Sequence, residues 1–571
     1  MRYTYAPFAI VASLLLAACS SPTAKNASQP PDTHSDSVAA DVAVDAAPDA
    51  SPAADTAPTA PDTAADAADQ EQGLPAGVTL AVDTTDTSSP DAAAAVVGAF
   101  GTLEPGLAVV YPPSEAMVPV DFSPITLQWT YSGAAPTVFV VRLETEEAQL
   151  DVVGDPQKWA KGPGYAVTLP KWIWLKLFQF PDHPDWTLRV LAATVQGGKA
   201  TTVLTSKPQT LHTSAMPAGG AIYYWNTQLQ GVRVLEQGKP PVTVATGAGM
   251  CAGCHSVSPD GSTVAVSHMM GSGMTSMSMT LVNAKTGVTP GWLNPKAATT
   301  LASSFTIAAA FSPAYFSDAV KWLVVPTSNS PGMMPAPAKL MAVDLLGGKA
   351  KVLVKGGDLG QQAFPTWSPD GSTVVYASAK DVGNGFSASQ PTKLYAVPFN
   401  GGEGDVAGPL SGADDDNVFQ YYPAFTIDGQ YVAYNRVDLN APACPASAGG
   451  GPSSGGEGTY DNCNAELWIL PASGGAPIRL DLANQSNEPL TNSWPTFGNV
   501  PGSLYWMAFS SKRNYGFLHT GAPPSPQIYV VAIDPKKLAA GQDGSYAALW
   551  LPGQDATSGN HIARWSLPPR E

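Results

Sequence analysis

The chain is short of charge, of cysteine and of long apolar runs, and each shortage closes off a class of protein. Asp, Glu, Lys and Arg make up only 13% of its 571 residues, low for a cytosolic globular protein. No stretch is apolar for the ~20 residues that a membrane-spanning helix requires. Basic residues form no stripe, so nucleic acid is excluded as a partner. Five Cys and seven His leave few ways to build a metal or nucleophile site. No acid/base pair or nucleophilic triad stands out.

Gly and Pro are abundant, at 54 each. Proline is poorly tolerated inside helices and glycine supplies positive-φ turns, so many short strands are expected rather than long helices. The net charge of −17 is unevenly spread. Residues 20–100 carry 13 acidic side chains against the single Lys25, leaving −6 on residues 101–571.

The N-terminus reads as a targeting segment over residues 1–18. Arg2 supplies a positive start and Phe8–Leu16 a short apolar core, too short for a permanent span. Leu16-Ala17-Ala18-Cys19 closes it. This ending resembles the bacterial lipoprotein lipobox, which implies cleavage before Cys19 and acylation of its thiol. By the same resemblance, Ser20 favours anchoring in outer-membrane lipid. An ordinary secretory signal with a chance cysteine is the competing reading.

Residues 19–100 are dominated by Ala, Asp, Pro, Thr and Ser, with no aromatic residue before Phe100. Too little apolar surface is available to offset ordering entropy, and like charges repel, so a disordered tether is expected. Flexible-chain scaling gives it a reach of roughly 50 Å. Residues 101–216 change character. Segments such as Ile125–Trp129, Val138–Leu143 and Thr187–Leu191 alternate with proline-rich turns, as in a β-sandwich of about seven strands. The pattern resembles fibronectin type III or immunoglobulin-like modules.

From about residue 220 the chain repeats. Phe364-Pro-Thr-Trp-Ser-Pro-Asp-Gly371, Tyr422-Pro-Ala-Phe-Thr-Ile-Asp-Gly429 and Cys254-His-Ser-Val-Ser-Pro-Asp-Gly261 each open a unit. Weaker copies start at Ala310 and Trp494. Each unit reads strand, Asp-Gly turn, strand, loop, strand, which is one propeller blade. The repeats resemble the six-bladed propeller of TolB over residues 220–567. Five units are continuous. A sixth is expected to close from both ends of the domain, with Ala221–Trp225 and Val232–Leu235 as outer strands and Ala563–Ser566 innermost. The expected fold is all-β: a six-bladed β-propeller preceded by a β-sandwich domain and a disordered N-terminal tether.

Cys251-Ala-Gly-Cys254-His255 carries the chemistry. Two thiols three positions apart can take both vinyl groups of one porphyrin, and the adjacent imidazole can bind its iron. Haem c is therefore the expected cofactor, on Cys251 and Cys254 with His255 as proximal ligand. A disulfide or redox dithiol is the rival reading. Zinc is disfavoured because no second Cys/His pair stands at ligand spacing. Distal candidates are Met269, Met270, Met274, His268 and His561, the methionines in a loop expected at the same propeller end as His255. Cys444 and Cys463 are expected to bridge a Gly/Ser-rich insert. Gly451–Gly455 formally matches a nucleophile elbow but lies in that insert. Asp414–Asn417 reads as a solvated acidic loop before it reads as a calcium site. Two functions remain open: a haem lipoprotein in electron transfer or redox sensing with an unidentified envelope partner, or a non-enzymatic binding scaffold whose CxxC is structural.

Overall fold

The computed structural model describes residues 79–180, 184–246, 252–270, 276–303, 308–327, 339–358, 360–379, 382–383, 387–388, 391–442, 444, 459, 462–484, 491–519 and 525–570. The signal segment, Cys19 and the tether as far as residue 78 lie outside them. No helix among the described residues is long and apolar enough to cross a membrane.

The sandwich starts earlier than the sequence suggested. Thr79–Asp86 forms a strand that pairs in parallel with Ala148–Gly154. Helix Pro90–Val96 follows, with Ser89 accepting from the Ala92 N–H and proline in its first turn. Both fall inside the segment read as tether. Leu80 and Ala81 bury from the strand, and Ala92, Ala93 and Val96 from the helix, so a few apolar residues within a polar run suffice to dock it. Two sheets face each other, one built around Val138–Glu144 and Asp185–Gln196, the other around Leu107–Tyr111, Thr126–Tyr131 and Gly164–Thr168.

The propeller has six blades. Inner strands Ala252–Val257, Ala310–Phe316, Gln361–Trp367, Val418–Phe425, Ser493–Phe497 and Asn560–Ser566 surround the axis. The sixth blade closes as the repeats predict. Asn560–Ser566 pairs with Ala221–Asn226, which continues through Gly231–Glu236 to Val242–Thr246. Joining a late inner strand to early outer ones removes both open edges.

The Ser-Pro-Asp-Gly turns are built alike. In the first blade Ser258 Oγ donates to Asp260, and the Asp260 carboxylate accepts from the Ser262 N–H. The third repeats this with Ser368, Asp370 and Ser372. Gly261 has φ of 72°, and a Cβ there would lie 2.4 Å from the Leu567 carbonyl oxygen, so only glycine fits.

Sandwich and propeller share one core at the fifth blade. The wholly buried Gln128 donates to the Tyr515 carbonyl and accepts from the Phe517 N–H. Tyr111 packs edge-on against Tyr515, whose ring stacks on Trp550 at 4.2 Å.

Candidate functional site

The inner strands share a deformation. Register shifts occur between Gly253 and His255, Ala363 and Thr366, Tyr421 and Ala424, Ser493 and Thr496, and on the closing strand opposite Tyr223–Trp225. At these bulges Cys254, Phe364, Tyr422, Trp494 and Ile562 have φ of 21°, 54°, 52°, 57° and 58°. Non-glycine residues rarely adopt such values, and five at one equivalent position mark a repeated β-bulge. It gathers these side chains, with Ala308 of the second blade, into one buried cluster across the axis. Tyr422 stacks on Trp494 at 3.8 Å, and Phe364 meets both edge-on at 4.5 and 5.5 Å. The axis is thereby plugged.

Cys254 is the first blade's member of this plug. Its thiol is buried and unbridged. Burial pushes its pKa well up, and Arg564 opposes that only in part. His255 leaves the strand on another side. It pairs with Val266, whose side chain sits in the core between the first and closing blades, with Tyr223 and Val232. Directly opposed residues share a sheet face, so the imidazole enters that interface.

Neither ring nitrogen of His255 makes a hydrogen bond among the described residues, although the ring is only 1% exposed. Burial, then the Arg564 charge, holds its pKa down to about 3. His561 adds to the lowering, and the Tyr223 backbone works against it. The ring is therefore neutral at ordinary pH.

His561 is likewise buried and pairs with Trp225 on the closing blade, near enough to His255 to affect its charge. His268 lies opposite Ala252 near the same end of the first blade. Its Nε2 is 2.7 Å from Thr280 Oγ1, and burial lowers its pKa. Strand Thr263–Met270 carries the backbone of Met269 and Met270 past His268 to the end at which strand Ala252–Val257 begins. The side chains of Met269 and Met270, and the whole of Cys251 and Met274, lie outside the described residues, as does Gly451–Gly455. Cys444 and Cys463 form the expected disulfide, with Cα atoms 5.6 Å apart. The acidic loop is ion-paired, Lys393 to Asp416 at 2.9 Å and Arg436 to Asp415 at 3.6 Å. No cluster of three metal-binding carboxylate, imidazole or thiol groups occurs among the described residues.

These residues suit a c-type haem in their chemistry. An iron ligand must be a neutral imidazole with a nitrogen to offer, and a buried ring with neither nitrogen engaged is otherwise costly. An apolar, aromatic setting around the Cys254 thiol suits a porphyrin edge.

One residue escaped the sequence reading. Arg564 stands where the other inner strands carry Ser256, Ala310, Thr366, Ala424 and Thr496. Its Nε donates to the His255 carbonyl at 3.3 Å, and its guanidinium lies 5.2 Å from the centre of the Trp494 ring. Burial lowers its pKa to about 10. The signal was present, since Arg564 falls in the copy of Pro-Thr-Trp-Ser that closes the ring.

No family model matches the chain, and no curated protein matches it. Among solved structures it is similar to TolB from Acinetobacter baumannii, at 13% identity and a TM-score of 0.36 over 68% of this chain and 84% of that one. It is similar to a putative TolB from Agrobacterium tumefaciens at 15% identity, TM-score 0.28, over 46% and 88%. A chain of a nidogen/laminin complex matches at 11% identity, TM-score 0.33, over 59% and 100%.

Proposed function

We propose that the chain is a lipid-anchored envelope protein whose propeller carries one haem c, attached to Cys251 and Cys254 with His255 on the iron, and that it serves electron transfer or redox sensing. The observation that carries this reading is His255, a fully buried, neutral imidazole with neither nitrogen hydrogen-bonded, directly after the second cysteine of CxxCH. The haem supplies a one-electron centre. The protein's part is to keep His255 neutral by burial and by the nearby Arg564 charge, and to enclose the Cys254 side in aromatic surface. Of the distal candidates, His561 has the best support, because it lies buried near His255 at the seam between the first and closing blades. The lipobox-like Leu16–Cys19 supports acylation of Cys19 and outer-membrane placement.

The test is expression in a host with active c-type maturation. A haem absorbance that survives denaturation, and a mature mass raised by one haem beyond lipid and polypeptide, are expected. A colourless protein weighing only its amino acids plus lipid overturns the proposal. Cys19→Ala should leave the haem in place and release the protein from the membrane fraction.

A further inference from the structure

On the Ser-Pro-Asp-Gly face of the plug the channel widens into a cavity of about 240 Å³. Its floor is Phe364, Tyr422 and Trp494, and its wall includes Pro259, Pro313, Pro369, Pro423 and Pro495. Proline offers no N–H, so the side-chain donors that line the cavity are hydroxyls and amides such as Thr366, Thr496 and Asn499, beside Arg564. Among the described residues no Asp or Glu lines the cavity, and Arg564 is the one charged residue that does.

Arg564 has no carboxylate partner among the described residues. It donates through Nε to the His255 carbonyl and lies over the face of Trp494. The Trp494 indole N–H is also buried without a hydrogen-bond partner among the described residues. A guanidinium partly withdrawn from water without a counter-charge is costly, and its terminal nitrogens form a fork that matches a carboxylate.

We propose that this cavity is a binding site for a small organic carboxylate with a flat, apolar body. The carboxylate pairs with Arg564, and the body lies against the aromatic floor between the prolines. The volume suits a ligand of benzoate to phenylbutyrate size. The same chemistry arises at the C-terminus of a peptide ending in an aromatic or aliphatic residue. The site contains none of the residues that would bond to the haem, and although it shares Arg564 and the aromatic plug with that reading, haem content and acid binding are read separately, so either can fail alone.

The experiment uses the full-length mature protein with benzoate, 4-phenylbutyrate and the matched neutral amides, followed by saturation-transfer NMR and calorimetry. Both acids should bind at least tenfold more tightly than their amides. Arg564→Met should weaken binding by tenfold or more, and Arg564→Lys less. Because Arg564→Met also removes the bond to His255, Thr366→Phe provides a second variant that fills the cavity without touching Arg564. It should abolish binding while circular dichroism and melting remain those of the parent. A short peptide with a free C-terminal carboxylate that outcompetes phenylbutyrate identifies the ligand source as a chain terminus; failure to compete identifies a free acid. Equal binding of acid and amide, undiminished binding to either variant, or no binding of either acid at millimolar concentration overturns the proposal.

Discussion

Asn226 Nδ2 donates to Asn560 Oδ1 at 2.9 Å, joining residues 334 positions apart at the seam where the propeller closes. The Asn560 amide in turn donates to Gln527 Oε1, Gln554 Oε1 and the Asp555 carbonyl at 3.2, 3.2 and 2.8 Å. Both asparagines are buried. Asn560→Leu leaves several partners without their bonds. Each unsatisfied buried group costs about 1–3 kcal/mol, so the variant should melt clearly below the parent in a thermal scan. The informative control is Asn226→Leu, which loses the seam bond and the bond that Asn226 Oδ1 accepts from the Leu229 N–H, fewer than Asn560→Leu loses, and should cost less. Equal melting of Asn560→Leu and parent shows that the closing strand does not depend on this network.

Acid should loosen the turns. Hydrogen bonds from Ser368 and Ser372 hold the Asp370 carboxyl below its ordinary range. At Asp260 burial acts in the opposite direction, but Ser258, Arg570 and Ser262 outweigh it. A carboxylate with a depressed folded pKa adds stability above its unfolded pKa of about 4, and that stability is lost as pH falls through the folded value. The melting temperature should therefore drop on acidification below about pH 4. Asp260→Asn and Asp370→Asn should lower it near neutral pH and make the acid-side drop shallower. A drop of unchanged steepness in both variants assigns the acid response to other groups.

The Cys444–Cys463 bridge closes a loop of 19 positions, worth about 3 kcal/mol by loop entropy. Cys444→Ser/Cys463→Ser should reduce the melting temperature without altering any haem spectrum, because the bridge lies in the fourth blade and CxxCH in the first. A simultaneous loss of colour couples the insert to the haem end.

The repeat pattern made the blades and their closure readable, because each inner strand carries the same residues at the same offsets. The plug was hidden for a reason in the backbone. Phe364, Tyr422 and Trp494 look like ordinary strand residues, and only the bulge, with φ near 55°, turns them to the axis. Arg564 was hidden because one inner-strand copy departs from Ser, Thr or Ala, and a single departure carries weight only once the ring is closed. His255 and His561 lie 306 positions apart in the chain by their numbers, and the electrostatic effect of His561 on His255 follows from closure. Residues 79–100 misled through composition: Ser89-Pro90-Asp91 before four alanines is a helix start, set in a run whose average polarity reads as disorder.

That last segment supports a prediction of its own. Arg142 and Asp151 form a buried ion pair in the sandwich, with both Nε and Nη2 2.8 Å from the carboxylate. The guanidinium also donates to the Ala99 carbonyl at 2.7 Å and the Val96 carbonyl at 3.3 Å, at the end of helix Pro90–Val96. Burial raises the Asp151 pKa, and Arg142 and Gln149 offset this only in part. A chain beginning at residue 101, where composition alone would set the domain boundary, deprives Arg142 of both carbonyls and exposes the edge strand Ala148–Gly154. It should be less stable and less soluble than a chain beginning at residue 76. Breaking the pair by Asp151→Ala should cost about 3–5 kcal/mol, since it leaves a buried charge alone, whereas Arg142→Met/Asp151→Leu should cost much less. If the chain from residue 101 melts with the longer one, the helix and first strand contribute nothing to the sandwich and their docking is incidental.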